Sequence, residues 1–374
     1  MPLPLIPGTE AAGTVVAAGP GADPALVDAP VAHFGHLTGV YAELTAVPLE
    51  FVVPLPGDAA LDVAAATAIS GTTGHLLTRH AYPVAAGQVV VVHAAAGAAG
   101  GAVVQLAAAA GAEVIAITST PGKAAAATAL GARHAIAVQD AADPVAAVLS
   151  LTGGRGADVV YDATGRDTFE ASLDMLATRG TLVLYGQSSG PVAPFDPGRL
   201  SGITGTGRGA GSLTQRWVAA SHYLTGPEDR ARALRVVLDE VAAGRFSPRI
   251  AGRFPLRQAG RHTPGSPAGP SRGNYCSRPD RSDEALRRQA HGHEWQSARA
   301  RRGPSDGRPG CLGTTGSSLR GLPTHRVVVL GVGGSSPLAH PEEGTGQKPR
   351  QGYRPGLLTL RCPILGAKWE PILP

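Results

Sequence analysis

Two short stretches combine side chains, and gaps between side chains, in ways that suit an anionic ligand. From Ala94 the chain reads AAAGAAGG, and from Thr118 it reads TSTPGK. In the first, nothing larger than a methyl group stands between Ala94 and Gly101, so a phosphate can approach bare backbone N–H groups. The spacing is A-x-x-G-x-x-G, on Ala94, Gly97 and Gly100. In the second, Ser119 and its threonine neighbours offer hydroxyls. Lys123, the only lysine before Arg261, adds an ammonium.

Such groups act only if the elements around them hold them in place. Gln88–Val92 is a β-branched run fit for a strand buried on both faces. After the small-residue loop, Val103, Val104 and Leu106 fall at helical spacing, alanines continue to Ala110, and Gly111 stands where a helix ends. Glu113–Thr118 (EVIAIT) is a second strand. Strand, tight turn, helix and strand place the loop at a helix N-terminus, whose dipole favours negative charge. A dinucleotide diphosphate fits there, although an Ala-rich buried helix in some other α/β protein fits the loop alone. At the end of the second strand an NAD site carries Asp or Glu for the ribose hydroxyls. Thr118-Ser119-Thr120 and Lys123 stand here instead, which favours a 2′-phosphate. The expected cofactor is NADPH.

The alternation continues. Strands are expected at His134–Val138, Ala157–Tyr161 and Thr181–Tyr185, with helices at Lys123–Leu130, Pro144–Leu151 and Phe169–Leu176. This predicts an α/β fold with a doubly wound parallel sheet of the Rossmann type. Ligands bind at the carboxyl ends of such strands. Asp162–Gly165 and Gly186–Ser189 should therefore edge the same cleft as Gly97. The helix Pro227–Ala243 carries Leu234, Val237, Leu238 and Val241 on one stripe.

Charge and cysteine divide the chain at one place. Up to Arg261 there are 17 Lys and Arg against 20 Asp and Glu, and beyond it 16 against 8. The net charge of +5 thus belongs to the last part and gives no sign of nucleic-acid binding by the rest. All three cysteines, Cys276, Cys311 and Cys362, also lie late. An odd, scattered set is no disulfide framework, so a cytoplasmic setting is expected. The mostly Ala and Gly run around His93 and Gln105 is a poor membrane span.

Residues 262–374 change texture, with Arg, Pro, Gly and Ser abundant and no sustained periodicity, which reads as a disordered tail. Back-translating GRHTPGSPAGPSRGNYCSRPD with GC-rich codons and adding one nucleotide after Arg261 gives a strand-like GKLLLPA and then a stop. On that reading the tail is out-of-frame translation. Two features within it are lures. RVVVLGVGGSS from Arg326 is cut by Pro337 before a helix can form, and His291, His293 and Glu294 have no further ligand at a useful spacing.

The segments PLIPGTEAAGTV, GVYAEL, VVVVHAAAGAAGGAVVQLA, GADVVYDATGRDTFEASLDML and RGTLVLYGQSSGPVAPFDP together resemble the zeta-crystallin-like quinone oxidoreductases. These form a zinc-free branch of the medium-chain dehydrogenase/reductase family, and the resemblance runs from about Leu3 to Pro255. It implies a GroES-like, β-rich catalytic domain in residues 1–70, an NADP-binding domain in 71–211 and a returning catalytic segment in 212–261. It implies hydride transfer from NADPH to a quinone in a homodimer joined at sheet edges. By position, Ala96, Gly97, Ala98 and Ala99 would face the diphosphate, and Ser119 and Lys123 the 2′-phosphate. Tyr185, Gly186, Gln187 and Ser188 would flank the nicotinamide, with Thr73 and Tyr223 as candidate catalytic residues. No metal is expected, because the zinc relatives need cysteine ligands and none precedes Arg261. His33, His36, His75 and His93 then read as structural or solvated.

The departures from the family pattern are at the ends. Strands of the catalytic domain that usually precede PLIPGTE and close the domain are missing from the match. The truncated domain should therefore leave the Leu234–Val241 stripe exposed. Val138 stands where a family tyrosine often packs on the adenosine. A reductase of α,β-unsaturated carbonyls and a non-catalytic NADPH-binding protein remain open beside the quinone reading.

Overall fold

The computed structural model describes residues 6–35, 39–141, 143–203, 211–258, 274–278 and 357–367. The first part of the chain gives β1 (Glu10–Ala18), β2 (Pro30–Phe34), β3 (Leu44–Pro48) and β4 (Val52–Pro54). Two helices follow, α1 (Leu61–Ala68) and α2 (Ser70–Leu76). β1 and β2 run antiparallel with Ala11 opposite His33, and β2 pairs with β4. One face of these strands packs Ala12, Ala32, Phe34 and Val53 against the alanines of α1, which lets the helix lie close. The other face gathers Ala11, Val15, Val31 and Val47.

The next stretch is a regular alternation: β5 (Val89–His93), α3 (Ala98–Ala109), β6 (Glu113–Thr118), α4 (Pro121–Ala129), β7 (His134–Ala137), α5 (Pro144–Leu151), β8 (Ala157–Asp162), α6 (Phe169–Asp174), β9 (Leu176–Leu184) and β10 (Thr214–Trp217). The six strands are parallel and ordered β7-β6-β5-β8-β9-β10. That is the doubly wound order with its switch point between β5 and β8. Val90 and Val92 face one core, and Val89 and Val91 the other, as a period of two requires. Gly111 follows α3 at φ +82°, the left-handed conformation that glycine adopts without strain.

The last described elements are α7 (Pro227–Ala242), β11 (Ile250–Pro255), β12 (Asn274–Arg278) and β13 (Leu357–Ala367). They complete a seven-stranded sheet in the order β11-β12-β13-β1-β2-β4, with β3 also on β13. α7 reaches both parts of the chain. Leu234 packs among the alanines of α1, and Val237 packs with Ala102 and Leu106 of α3 and with Phe246.

Four expectations change. The six-stranded sheet does not stop at residue 211, because β10 adds its last strand, parallel to β9, inside the expected returning segment. Its sequence, TQRW, has no apolar run because it is an edge. β9 begins five residues before Thr181, running through Arg179 at φ +66° and Gly180 and taking in Leu176, which was expected in the preceding helix. The stripe on α7 is covered, with Leu234 and Val237 at 0% exposure, because α1, α3 and Phe246 meet it. Residues 262–374 are not all without structure, since β12 and β13 join the seven-stranded sheet and β13 pairs along most of β1. The GxGG run after Arg326 and the His291–Glu294 cluster lie outside the described residues.

Candidate cofactor site

The turn after β5 is tightly wound. Ala94 sits at φ +50°, where a side chain costs about 1–2 kcal/mol relative to glycine. The Gly97 N–H donates to the Ala94 carbonyl at 2.8 Å and closes the turn. A Cβ on Gly100 would lie 2.5 Å from that same carbonyl, so helix and strand approach as closely as they do only because none is there. Gly97 caps α3 with extended backbone and no side-chain hydrogen bond. The amides of Ala98, Ala99 and Gly100 are thus the first turn of a helix with no capping side chain.

At the end of β6 the two residues expected to act together do meet. Lys123 Nζ donates to Ser119 Oγ at 2.9 Å. Thr120 is the N-cap of α4, and its buried Oγ1 has no hydrogen-bond partner among the described residues. Val138 nearby is 47% exposed, a flat apolar surface.

The loops after β8 and β9 are joined to one another. The Ser188 N–H donates to the Ala163 carbonyl at 3.2 Å, and the Ser189 N–H and hydroxyl both donate to the Thr164 carbonyl at 2.8 Å. Tyr185, Gly186, Gln187 and Ser188 therefore form one wall with Ala163–Gly165. Tyr185 and Tyr223 pack on the same apolar cluster, which contains Tyr161, Val183 and Val218. Tyr161 donates to the carbonyls of Leu77 and Tyr82, each at 3.1 Å, and its burial raises its pKa. Thr73 is half-buried on α2, whose next residue, Gly74, lies against Ala102 of α3.

Arg249 is a site residue that no spacing signalled. It lines a small cavity with Gly97, Ala98 and Gly101 at the start of α3, together with Ser70 and Leu130. Its Nη1 is closed off from solvent and has no hydrogen-bond partner among the described residues. The segment that carries it is fixed to α3 by Gln105, whose side chain accepts from the Ser247 N–H at 2.9 Å and donates to the Ser247 carbonyl at 3.1 Å.

The histidines are scattered. His33 is buried in β2, which pushes its pKa down to about 4 against a hydrogen bond to the Phe51 carbonyl that raises it. His75 falls to about 4 through burial and the neighbouring His80 and Arg79. His36 lies outside the described residues. Among the described residues, no three His, Cys, Asp or Glu side chains gather as a metal would need, and no helix is long and apolar enough to cross a membrane.

Residues 98–224 match the family described as zinc-binding dehydrogenase. The chain is 36% identical over 260 residues to a 2-haloacrylate reductase of a Burkholderia species, covering 68% of this chain and 75% of that one. It is 35% identical over 275 residues to a quinone oxidoreductase of Pseudomonas aeruginosa, covering 70% and 79%. The chain belongs to the zinc-free quinone oxidoreductase branch of the medium-chain dehydrogenases and reductases. A solved member of this branch, the Escherichia coli quinone oxidoreductase complexed with NADPH, superimposes with a TM-score of 0.61 at 32% identity, covering 69% of this chain and 77% of that one. Ala98–Gly101 of the loop, the Lys123–Ser119 pair and the joined walls all lie inside residues 98–224, whereas β12 and β13 lie beyond them.

Proposed function

We propose that this chain transfers a hydride from NADPH to a quinone without a metal. The observation that carries the reading is the pairing of a bare helix N-terminus at Ala98–Gly100 with an ammonium and hydroxyl at Lys123 and Ser119. The residues present suit the cofactor: the turn admits a diphosphate, and the end of β6 holds cationic and neutral donors where an NAD site holds a carboxylate. When bound, NADPH supplies the hydride, so the protein contributes binding and orientation.

The assignments follow from position. Ala96, Gly97, Ala98 and Ala99 offer the diphosphate their backbone, and Ser119, Lys123 and the unpartnered Thr120 hydroxyl take the 2′-phosphate. Arg249 adds a guanidinium beside the positive end of α3. Its Nη1 is closed off from solvent without a partner among the described residues, and an anion between it and the helix would satisfy both, so a diphosphate fits the place. Tyr185–Ser188 form the wall along the nicotinamide. Thr73 and Tyr223 are the hydroxyls assigned to the reacting end, where positioning must do what zinc does in other branches. A cytoplasmic setting is proposed from the unpaired cysteine count. A homodimer is proposed along β10, an edge strand whose Trp217 is 52% exposed.

Titration of the purified chain with NADPH and NADH, followed by cofactor fluorescence, tests the cofactor. NADPH should bind the more tightly, Lys123→Ala should cost NADPH about tenfold and leave NADH unchanged, and Arg249→Gln should weaken both alike. Equal binding of the two cofactors by the parent chain rejects the 2′-phosphate assignment. Oxidation assays with a benzoquinone and with 2-chloroacrylate then separate quinone reduction from the second reading, which the Burkholderia relative favours. Binding without turnover of either acceptor leaves a cofactor-binding protein.

A further inference from the structure

Three buried polar side chains join the two halves of the cleft. His93 is the last residue of β5, directly before Ala94, and Asp162 is the last residue of β8, directly before the wall loop. Ser172 on α6 lies between them. Its hydroxyl donates to Asp162 Oδ2 at 2.8 Å and stands 3.1 Å from His93 Nε2. His93 is 4% exposed, and Ser172 and Asp162 are 0% exposed.

The residue types suggest a hydrolytic triad, but the wiring forbids it. In a nucleophilic triad histidine stands between serine and carboxylate and takes the serine proton. Here the serine proton is committed to Asp162, so His93 must donate Nε2–H to the hydroxyl oxygen. Burial lowers the His93 pKa, which keeps the ring neutral as that role requires. No surface is left for a substrate.

The arrangement can transmit position instead. The Asp162 carboxylate accepts from the amides of Thr164 and Gly165 at 2.7 and 3.2 Å, from Thr168 Oγ1 at 2.7 Å, and from Ser172. It thereby fixes the loop to which Ser188 and Ser189 are bonded, while the Tyr185 N–H donates to the Asp162 backbone carbonyl at 2.9 Å. A buried network with this many bonds to one carboxylate holds its members in place. We propose that His93, Ser172 and Asp162 form a strut that sets the distance between the diphosphate turn and the nicotinamide wall, making Ser172 a positioning residue for hydride transfer. The proposal rests on the NADPH reading above.

Ser172→Ala cuts the strut and leaves Asp162 three of its four donors. Its kcat with a benzoquinone should fall about tenfold, and the primary deuterium isotope effect from 4-deuterated NADPH should rise. The affinity for 2′,5′-ADP, which carries the adenosine-side phosphates but no nicotinamide half and so does not reach the wall, should stay within about twofold. His93→Gln keeps an N–H donor and should retain most of the rate, whereas His93→Leu should behave as Ser172→Ala does. An unchanged kcat and isotope effect in Ser172→Ala overturn the strut, and so does a loss of 2′,5′-ADP affinity that matches the loss of rate, since that marks general unfolding. Parent protein inert towards NADPH defeats the cofactor reading itself, and the strut with it.

Discussion

The six strands of the parallel nucleotide sheet come from one run, Val89 to Trp217, whereas those of the seven-stranded sheet come from distant stretches reaching Ala367. Each strand of the first is followed by the helix or loop that covers it, so its contacts close over short spans. The second depends on β13, which lies between β1 and β12 and also holds β3, more than 300 residues after its main partner. Long closures cost chain entropy before any pairing rewards them. The difference teaches that the parallel sheet is locally specified, while the seven-stranded sheet is an assembly of remote parts.

The largest test of that contrast is removal of Leu357–Ala367. Hydrogen exchange should show β1 and β3 losing protection while Val89–Trp217 keeps it. Equal loss in both sheets, or none in either, breaks the comparison. Acid should come next. Between pH 6.5 and 4 the unfolded chain takes up a proton at His33 that the folded chain refuses, so stability falls as pH falls. The full effect is about 3 kcal/mol at pH 4 and below. Urea unfolding of His33→Phe should show a flatter acid limb than the parent, and an identical limb removes His33 from the account. In the nucleotide sheet Ile115→Val trims one methylene from a residue at 0% exposure and should cost about 1 kcal/mol by urea titration. The smallest effect is expected at the turn. Ala94→Gly relieves the positive φ but frees the unfolded chain, for a net gain of about 0.5 kcal/mol. A loss on calorimetry would mean that the Ala94 methyl contributes packing that outweighs its strain.

The same contrast governs what the sequence reveals. β5, β6, β7 and β8 were legible to within a residue or so, because apolar runs of strand length alternate with alanine-rich helices. Gly111 and Pro227 marked helix ends for reasons of backbone chemistry alone. β10 was invisible, since an edge strand with polar TQRW needs no apolar face. β13 was invisible for a different reason: its LLTL and PILG pieces gain meaning only from β1 and β3, which no local pattern can name. In the site, Lys123 and Ser119 stood out because a carboxylate was missing from a known place. Arg249 did not, because its relation to Gly97 and Ala98 arises from the return of the chain past α3. The strut was hidden in the same way, with His93 and Ser172 standing 79 positions apart.

Gln105 holds the returning segment with both ends of one amide, accepting from the Ser247 N–H and donating to its carbonyl. Glutamate is nearly the same shape, yet its second oxygen would face that carbonyl with no proton to share at neutral pH. The position is therefore closed to the commonest single-atom exchange, and the seam that brings Arg249 to the helix is a lock keyed by nitrogen rather than by volume.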